Sequence, residues 1–163
     1  MPEIFVFPHV VAETEIDSLG HANNVAYLEW MQSAAVAHSA AQGWPGERYR
    51  QLGRGWVVRS HRIEYFQPAL AGQRIVVRTW VATMKKVTSL RRYRILRADD
   101  EALLAEAETN WAFIDFRRGG PVRIDREIAA AFPLVPDAAD PAEAPRPAPA
   151  AAGRDSTTPG GNA

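Results

Sequence analysis

The sequence predicts an α+β domain in which a five-stranded antiparallel sheet wraps around one long helix. Three observations predict it. Only one stretch, starting at Asn23 or Asn24, repeats apolar and small residues at a helical period over several turns. Four later segments alternate apolar and polar residues with the period of two expected of strands. The connections between those segments are short and rich in turn residues, which favours antiparallel neighbours.

Taken in order, Phe5 to Val11 is aromatic and β-branched and reads as a strand, with Pro8 directing it to a sheet edge or a bulge. Ala12 to Gly20 is a polar connection. The helix carries Val25, Leu28, Met31, Ala35, Val36, Ser39 and Ala40 at its period, with alanines filling much of the rest. So many small residues let it lie close to a sheet. Gly43 with Trp44-Pro45 stops it. Pro45 to Gly53 reads as a turn with one short helical piece.

The four strands are expected at Gly55 to Phe66, Arg74 to Met84, Thr88 to Ala98 and Leu103 to Phe116. In the first, unbroken alternation puts Trp56, Val58, Ser60, Arg62, Glu64 and Phe66 on one face, opposite Val57, Arg59, His61, Ile63 and Tyr65. The Leu103–Glu108 portion of the last has helical propensity, which tertiary context overrides in many sheets. Gly119-Gly120-Pro121 ends it, and Arg126 to Phe132 reads as a short closing helix. One helix covers one face of a five-stranded sheet, so a second copy is the natural cover for what remains.

The 163 residues suit one globular domain. Lys and Arg together balance Asp and Glu at 19 each, so no global field draws in nucleic acid or an anionic membrane. With no cysteine, disulfides, thiolate nucleophiles and cysteine metal sites are all excluded. The amino terminus lacks a basic region followed by an apolar run, and no apolar stretch approaches the roughly 20 residues needed to span a bilayer. A cytoplasmic protein is the expectation. Beyond about Pro136, Pro, Ala, Gly, Ser and Thr dominate. Residues 1–136 are therefore read as the domain, and 137–163 as a disordered tail that cannot offset its ordering entropy.

The chemistry-bearing residues crowd into the approach to the helix: Asp17, Gly20, His21, Asn23 and Asn24. A helix start offers unpaired backbone N–H groups and partial positive charge. A carboxylate beside them can attack a carbonyl, or direct water at it, while the donors hold its oxygen. Either asparagine can cap the helix, and Asn24 is expected to do so by side chain while its main-chain N–H serves the chemistry. His21 is a catalytic candidate that could hydrogen-bond the substrate, hold Asp17 or simply satisfy the loop backbone. Tyr27, Trp30 and Met31 are expected in the core or in the wall of an acyl pocket. Lys85, Lys86, Arg91, Arg92, Arg94 and Arg97 cluster around one hairpin and could grip phosphates, or could simply protect a sheet edge. His9, His38 and His61 have no companions at metal-ligand spacing, so no metal is expected.

This stretch, followed by one helix and four strands, resembles the hotdog-fold acyl-CoA thioesterases, in particular the 4-hydroxybenzoyl-CoA thioesterase-like family. Asp17, Gly20, His21, Asn24 and Tyr27 stand where that family has an acidic residue, a Gly-His pair, an asparagine and a helix tyrosine. Segments 88–95 and 106–115 look like its last two strands. The resemblance implies hydrolysis of a small or medium, aliphatic or aromatic, acyl-CoA, with no cofactor and coenzyme A present only within the substrate. It implies a homodimer, or a dimer-of-dimers tetramer, with sites at the subunit interface. It makes Asp17 the nucleophile or general base and the Asn24 N–H the donor to the thioester carbonyl. Gly20, Asn23, Tyr27, Ser89, Lys86 and Arg91 become substrate-side candidates. Glu15-Ile16-Asp17 departs from the family's Asp-Thr-Asp by losing a hydroxyl neighbour. Two other readings are an acyl-carrier-protein thioesterase and a hotdog module that binds acyl-CoA without cleaving it. The retained Asp17 favours an enzyme over the latter. A hydratase fits poorly, because Asp17 precedes His21 by only four residues.

Overall fold

The computed structural model describes residues 4–136, and the expected tail at 137–163 lies outside the described residues. Five strands form one sheet: β1 (Phe5–Val10), β2 (Arg54–Tyr65), β3 (Arg74–Met84), β4 (Thr88–Arg97) and β5 (Leu103–Asp115). Three helices accompany them: α1 (Asn24–Ala41), α2 (Gly46–Leu52) and α3 (Arg126–Ala131). A 3₁₀ turn covers Glu13–Glu15. The strand order is β1-β3-β4-β5-β2, and all pairs are antiparallel. This is the α+β hotdog arrangement that the resemblance implied.

β3, β4 and β5 form a meander, but β2 pairs with β5 rather than with its sequence neighbour β3. Residues 66–73 therefore cross the end of the sheet. Ala69, fully buried, accepts a hydrogen bond from the Ala22 N–H at 2.8 Å, which fastens this crossing to the start of α1. The expectation of unbroken alternation in β2 fails at a register shift between Val58 and Ser60. Trp56 and Val58 pair with Phe113 and Trp111, and His61 and Ile63 with Thr109 and Ala107. The bulge thus brings Trp56, Val58, His61, Ile63 and Tyr65 onto the face that looks at α1. The Leu103–Glu108 portion does form a strand. It is paired on both sides, and its Leu104, Ala105 and Ala107 are buried beneath the helix.

α1 runs for 18 residues over the sheet. Ala26, Tyr27, Trp30, Met31 and Ala34 pack on Ile75, Val77, Tyr93, Ile95, Leu104 and Ala105. A second cluster gathers Trp44, Tyr49, Val81, Phe113, Ile124, Ile128 and Phe132 at the far end of the helix. Each large side chain removed from water contributes roughly 1.5–3 kcal/mol, so these two clusters supply most of the driving force. Positive φ at Gly43 (88°) lets the chain leave α1, and the Trp44 N–H then folds back onto the Ser39 carbonyl at 2.8 Å.

Candidate active site

The loop before α1 is a closed ring. The Asp17 N–H donates to the His21 carbonyl at 2.8 Å, and the Gly20 N–H to the Asp17 carbonyl at 3.0 Å. Gly20 takes φ of 82°, a conformation that a side chain would strain. Asp17 Oδ1 accepts from the N–H groups of Leu19 (2.9 Å) and His21 (3.2 Å). Its Oδ2 has no partner among the described residues, and the side chain is exposed. A carboxylate with one oxygen pinned and the other free is directed, not merely present.

Asn23, not Asn24, caps α1 by side chain: its Oδ1 accepts from the Ala26 N–H at 2.8 Å. The expectation of an Asn24 side-chain cap is corrected here. Asn24 is already the first helical residue, and the extended backbone of Asn23 (φ −72°, ψ 160°) is what aims a side chain at the third N–H. The N–H groups of Asn24 and Val25 have no acceptor among the described residues. They are the free donors of the helix start, a few residues from Asp17. The His21 side chain is exposed and makes no hydrogen bond among the described residues.

One feature of this end was not legible from motif spacing. Glu15, two residues before Asp17, is a hub. Its Oε1 accepts from the Ala12 N–H (2.8 Å) and lies 2.8 Å from His9 Nε2, and its Oε2 accepts from Trp30 Nε1 (2.5 Å). Its backbone carbonyl takes the Asn23 N–H at 2.8 Å. Burial works against the charge, but Ala12, His9 and Trp30 outweigh it and hold the carboxyl below its usual range. His9, uninformative as sequence, is thereby given a partner. Tyr27 is core: it is 2% exposed, with Trp30 tilted at 4.7 Å and Tyr65 edge-on at 5.0 Å. Burial raises its phenol pKa, which keeps it protonated.

The remaining candidates lie elsewhere. Ser89 and Arg91 line a cavity of about 280 Å³ at the far end of α1. The cavity's walls include Trp44, Tyr49, Trp56, Trp111, Phe116 and Phe132, and Val36 of α1 also borders it. Ser89 is buried and donates to the Thr83 carbonyl at 2.9 Å. Arg91 does not join an exposed basic hairpin, because it stands on the helix-facing side of β4 and is 6% exposed. Arg92 and Arg94 are on the opposite face, against Glu108 and Glu106. Lys85 and Lys86 alone remain exposed at the β3–β4 turn, next to the cavity's Met84. The rise along α1 from Asn24 to Ala35, the first cavity residue, is about 16 Å.

This strand order, with one long helix laid over the sheet, defines a hotdog domain. A family model of the thioesterase-like superfamily matches residues 11–132. The chain belongs to that superfamily and is a thioester hydrolase. Among solved structures, a 1,4-dihydroxy-2-naphthoyl-CoA thioesterase from Synechocystis is similar over 79% of this chain and 95% of its own, at 18% identity and a TM-score of 0.74. A hypothetical protein from Thermus thermophilus matches at 26% identity and a TM-score of 0.73, over 78% of this chain and 96% of its own. A putative oleoyl thioesterase from Lactobacillus plantarum matches at 21% identity and a TM-score of 0.76, over 82% of this chain and 52% of its own. No helix among the described residues is long and apolar enough to cross a membrane.

Proposed function

We propose that the protein hydrolyses acyl-CoA thioesters in a site shared by two copies of the chain. In this reading Asp17 comes from one copy and the acyl-binding cavity from the other. The observation that carries it is the separation just described. The directed carboxylate and the free helix-start donors stand at one end of α1, and the cavity of acyl-group size stands at the other. A chain cannot bridge them by itself.

β2 supplies the bridge. It is an edge strand of 12 residues with no neighbour on its outer side among the described residues, a liability that pairing with another strand removes. Its first residues include Gly55 and Trp56, which line the cavity, and it ends at Tyr65, against Tyr27 in the first turns of α1. Antiparallel pairing of two copies through β2 sets the cavity of one beside the Asp17 loop of the other. The exposed Val25, Leu19, Val57 and Tyr65 gain cover in the same step.

In that site the thioester carbonyl points at the Asn24 N–H. Asp17 Oδ2 either attacks the carbonyl carbon, expelling CoA thiolate and leaving an anhydride that water opens, or takes a proton from the attacking water. Thiolate is a good leaving group, so one carboxylate and one oxyanion donor suffice. His21, Gly20 and Asn23 shape the loop around the thioester, and Ser89 and Tyr27 border the acyl group and the loop. Lys86, exposed at the turn beside the cavity, is placed to meet CoA phosphates.

The test is thiol release from a panel of aliphatic and aromatic acyl-CoAs. Asp17→Asn should lower kcat at least 100-fold with the melting temperature held within about 3 °C, since the side chain is exposed and its loop contacts survive. Val36→Trp, at the exposed border of the cavity, should also inactivate. Subunit exchange between the two variants should restore about one quarter of wild-type activity, because half the dimers are mixed and each mixed dimer has one intact site. No recovery from folded, dimeric variants refutes the shared site. Wild-type rates in Asp17→Asn refute the choice of carboxylate.

A further inference from the structure

A thioesterase cavity needs an apolar wall, and this one has it. It also has something an apolar acyl group does not need. Arg91 is the charged residue most deeply set in the described protein, and it lines the cavity. It makes no ion pair among the described residues. Its Nη1 meets His38 Nδ1 at 2.9 Å and donates to Thr79 Oγ1 at 3.1 Å. Nε and Nη2 have no hydrogen-bond partner among the described residues, and neither is a sealed, unsatisfied atom. The surface they keep opens on the cavity.

His38 is no counter-ion. It is 3% exposed, stacked on Phe5 at 5.1 Å and edge-on to Phe132 at 5.5 Å. Burial, and then the Arg91 charge, push its pKa down to about 4, so it accepts from Arg91 as a neutral ring. The other groups near the guanidinium are the phenols of Tyr93 and Tyr49 and the hydroxyl of Thr79. No aspartate or glutamate lines the cavity. The second arginine bordering it, Arg50, is exposed and already bound to Glu47 at 2.7 Å. A buried cation without an anion is costly, and folds supply the anion or remove the charge. Here no anion is supplied among the described residues, and the arginine lines the pocket.

We propose that Arg91 binds an ionised carboxylate at the end of the acyl group remote from the thioester, so that the substrates are CoA monothioesters of dicarboxylic acids, with an aromatic body matching the walls. The assignment rests on the thioesterase reading above. Guanidinium and carboxylate match as paired donors and acceptors, and a site built to satisfy such a group rejects the neutral isostere strongly. An uncharged acyl group leaves the guanidinium as it stands in the empty pocket and gains nothing from it.

The experiment compares isosteric acid and amide pairs: 4-carboxybenzoyl-CoA against 4-carbamoylbenzoyl-CoA, and adipoyl-CoA against adipamoyl-CoA. Wild type should favour the acid in kcat/KM by about 10-fold or more, as hydrogen bonds to a charged group imply. Arg91→Gln should abolish that ratio, and Arg91→Lys should keep part of it, which separates charge recognition from a folding defect. In parallel, benzoate and benzamide are titrated against tryptophan fluorescence, since Trp44, Trp56 and Trp111 line the cavity. Acid and amide hydrolysed equally well by wild type overturns the Arg91 assignment and leaves the thioesterase standing. No thioester hydrolysed, with benzoate still preferred over benzamide, retains the anion site and overturns the thioesterase reading. Neither hydrolysis nor preference overturns both.

Discussion

Glu15→Gln is the substitution that most directly tests how the catalytic loop is held. The change preserves volume and removes only charge and one acceptor. In the native protein one oxygen serves the Ala12 N–H and His9, and the other serves Trp30 Nε1. A glutamine can turn its oxygen to only one of these sides, so its amide N–H meets a donor on the other. The indole N–H belongs to a residue that is 2% exposed, and leaving such a donor unmatched costs roughly 1–3 kcal/mol. The bonds that survive fall from charge-assisted to neutral strength, which loses about 1 kcal/mol more. The expected loss is therefore about 2–4 kcal/mol, or about 8–16 °C in melting temperature for a domain of this size. The assay is urea and thermal unfolding of wild type, Glu15→Gln, Trp30→Phe and the double variant. Because the two side chains touch, the cycle should return a coupling of about 1 kcal/mol. A shift below about 2 °C for Glu15→Gln, or strict additivity in the cycle, refutes the hub. Retained stability would mean that the loop stands without Glu15 and that Asp17 is positioned by its own ring alone.

Two further predictions concern the helix start and acid. Asn23→Ala should cost about 1 kcal/mol by removing the bond to the Ala26 N–H, whereas Asn24→Ala should change stability by less than about 0.5 kcal/mol; equal losses in urea melts would contradict the capping assignment. Stability should fall as pH is lowered from about 6.5 toward 4, because His38 is held neutral down to about 4 in the folded protein while the unfolded chain takes its proton near 6.5. That contribution is complete above pH 6.5 and amounts to up to about 3 kcal/mol. Glu15, whose folded pKa is depressed, adds a second loss in the same direction below about pH 4.5. Flat stability between pH 7 and 4.5 in a denaturant series would sink the buried neutral histidine.

The strand segments and the long helix were legible because the core is written in local patterns, whereas the pairing of β2 with β5 across the sheet was not. The α1 stripe and the alternation in β3 and β4 each report burial residue by residue. The Asp17–Asn24 cluster was legible because all its residues come from one stretch of chain, brought together by a short loop. Two further things were not legible, each for a physical reason. The β2 bulge depends on a pairing partner some 50 residues away, and nothing in Val58-Arg59-Ser60 signals it locally. The Glu15 hub joins His9, Ala12 and Trp30 across three elements, so no spacing rule reaches it. Arg91 did leave a trace. It shares its parity with Ser89, Tyr93 and Ile95, and an arginine on an apolar face is a contradiction that local charge counting, with its neighbours Arg92 and Arg94, concealed.

The same contradiction separates what the fold requires from what the substrate requires. The hydrophobic clusters beneath α1 and around Trp44 and Phe113 are aliphatic and aromatic, and Arg91 is buried beside their Tyr93 and Tyr49. A leucine or methionine there would pack against Thr79 and His38 at lower desolvation cost. The Asp17 end obeys the opposite logic. There the exposed carboxylate is held by the least costly means available, two backbone N–H groups of its own loop, while the half-buried carboxylate beside it, Glu15, has three partners. Both oxygens of the half-buried Glu15 are paired, whereas the buried Arg91 keeps two of its nitrogens without a hydrogen-bond partner among the described residues. That asymmetry is what an acyl group bringing its own negative charge would complete, and it ties the choice of substrate to the one position where folding stability and pocket chemistry pull apart.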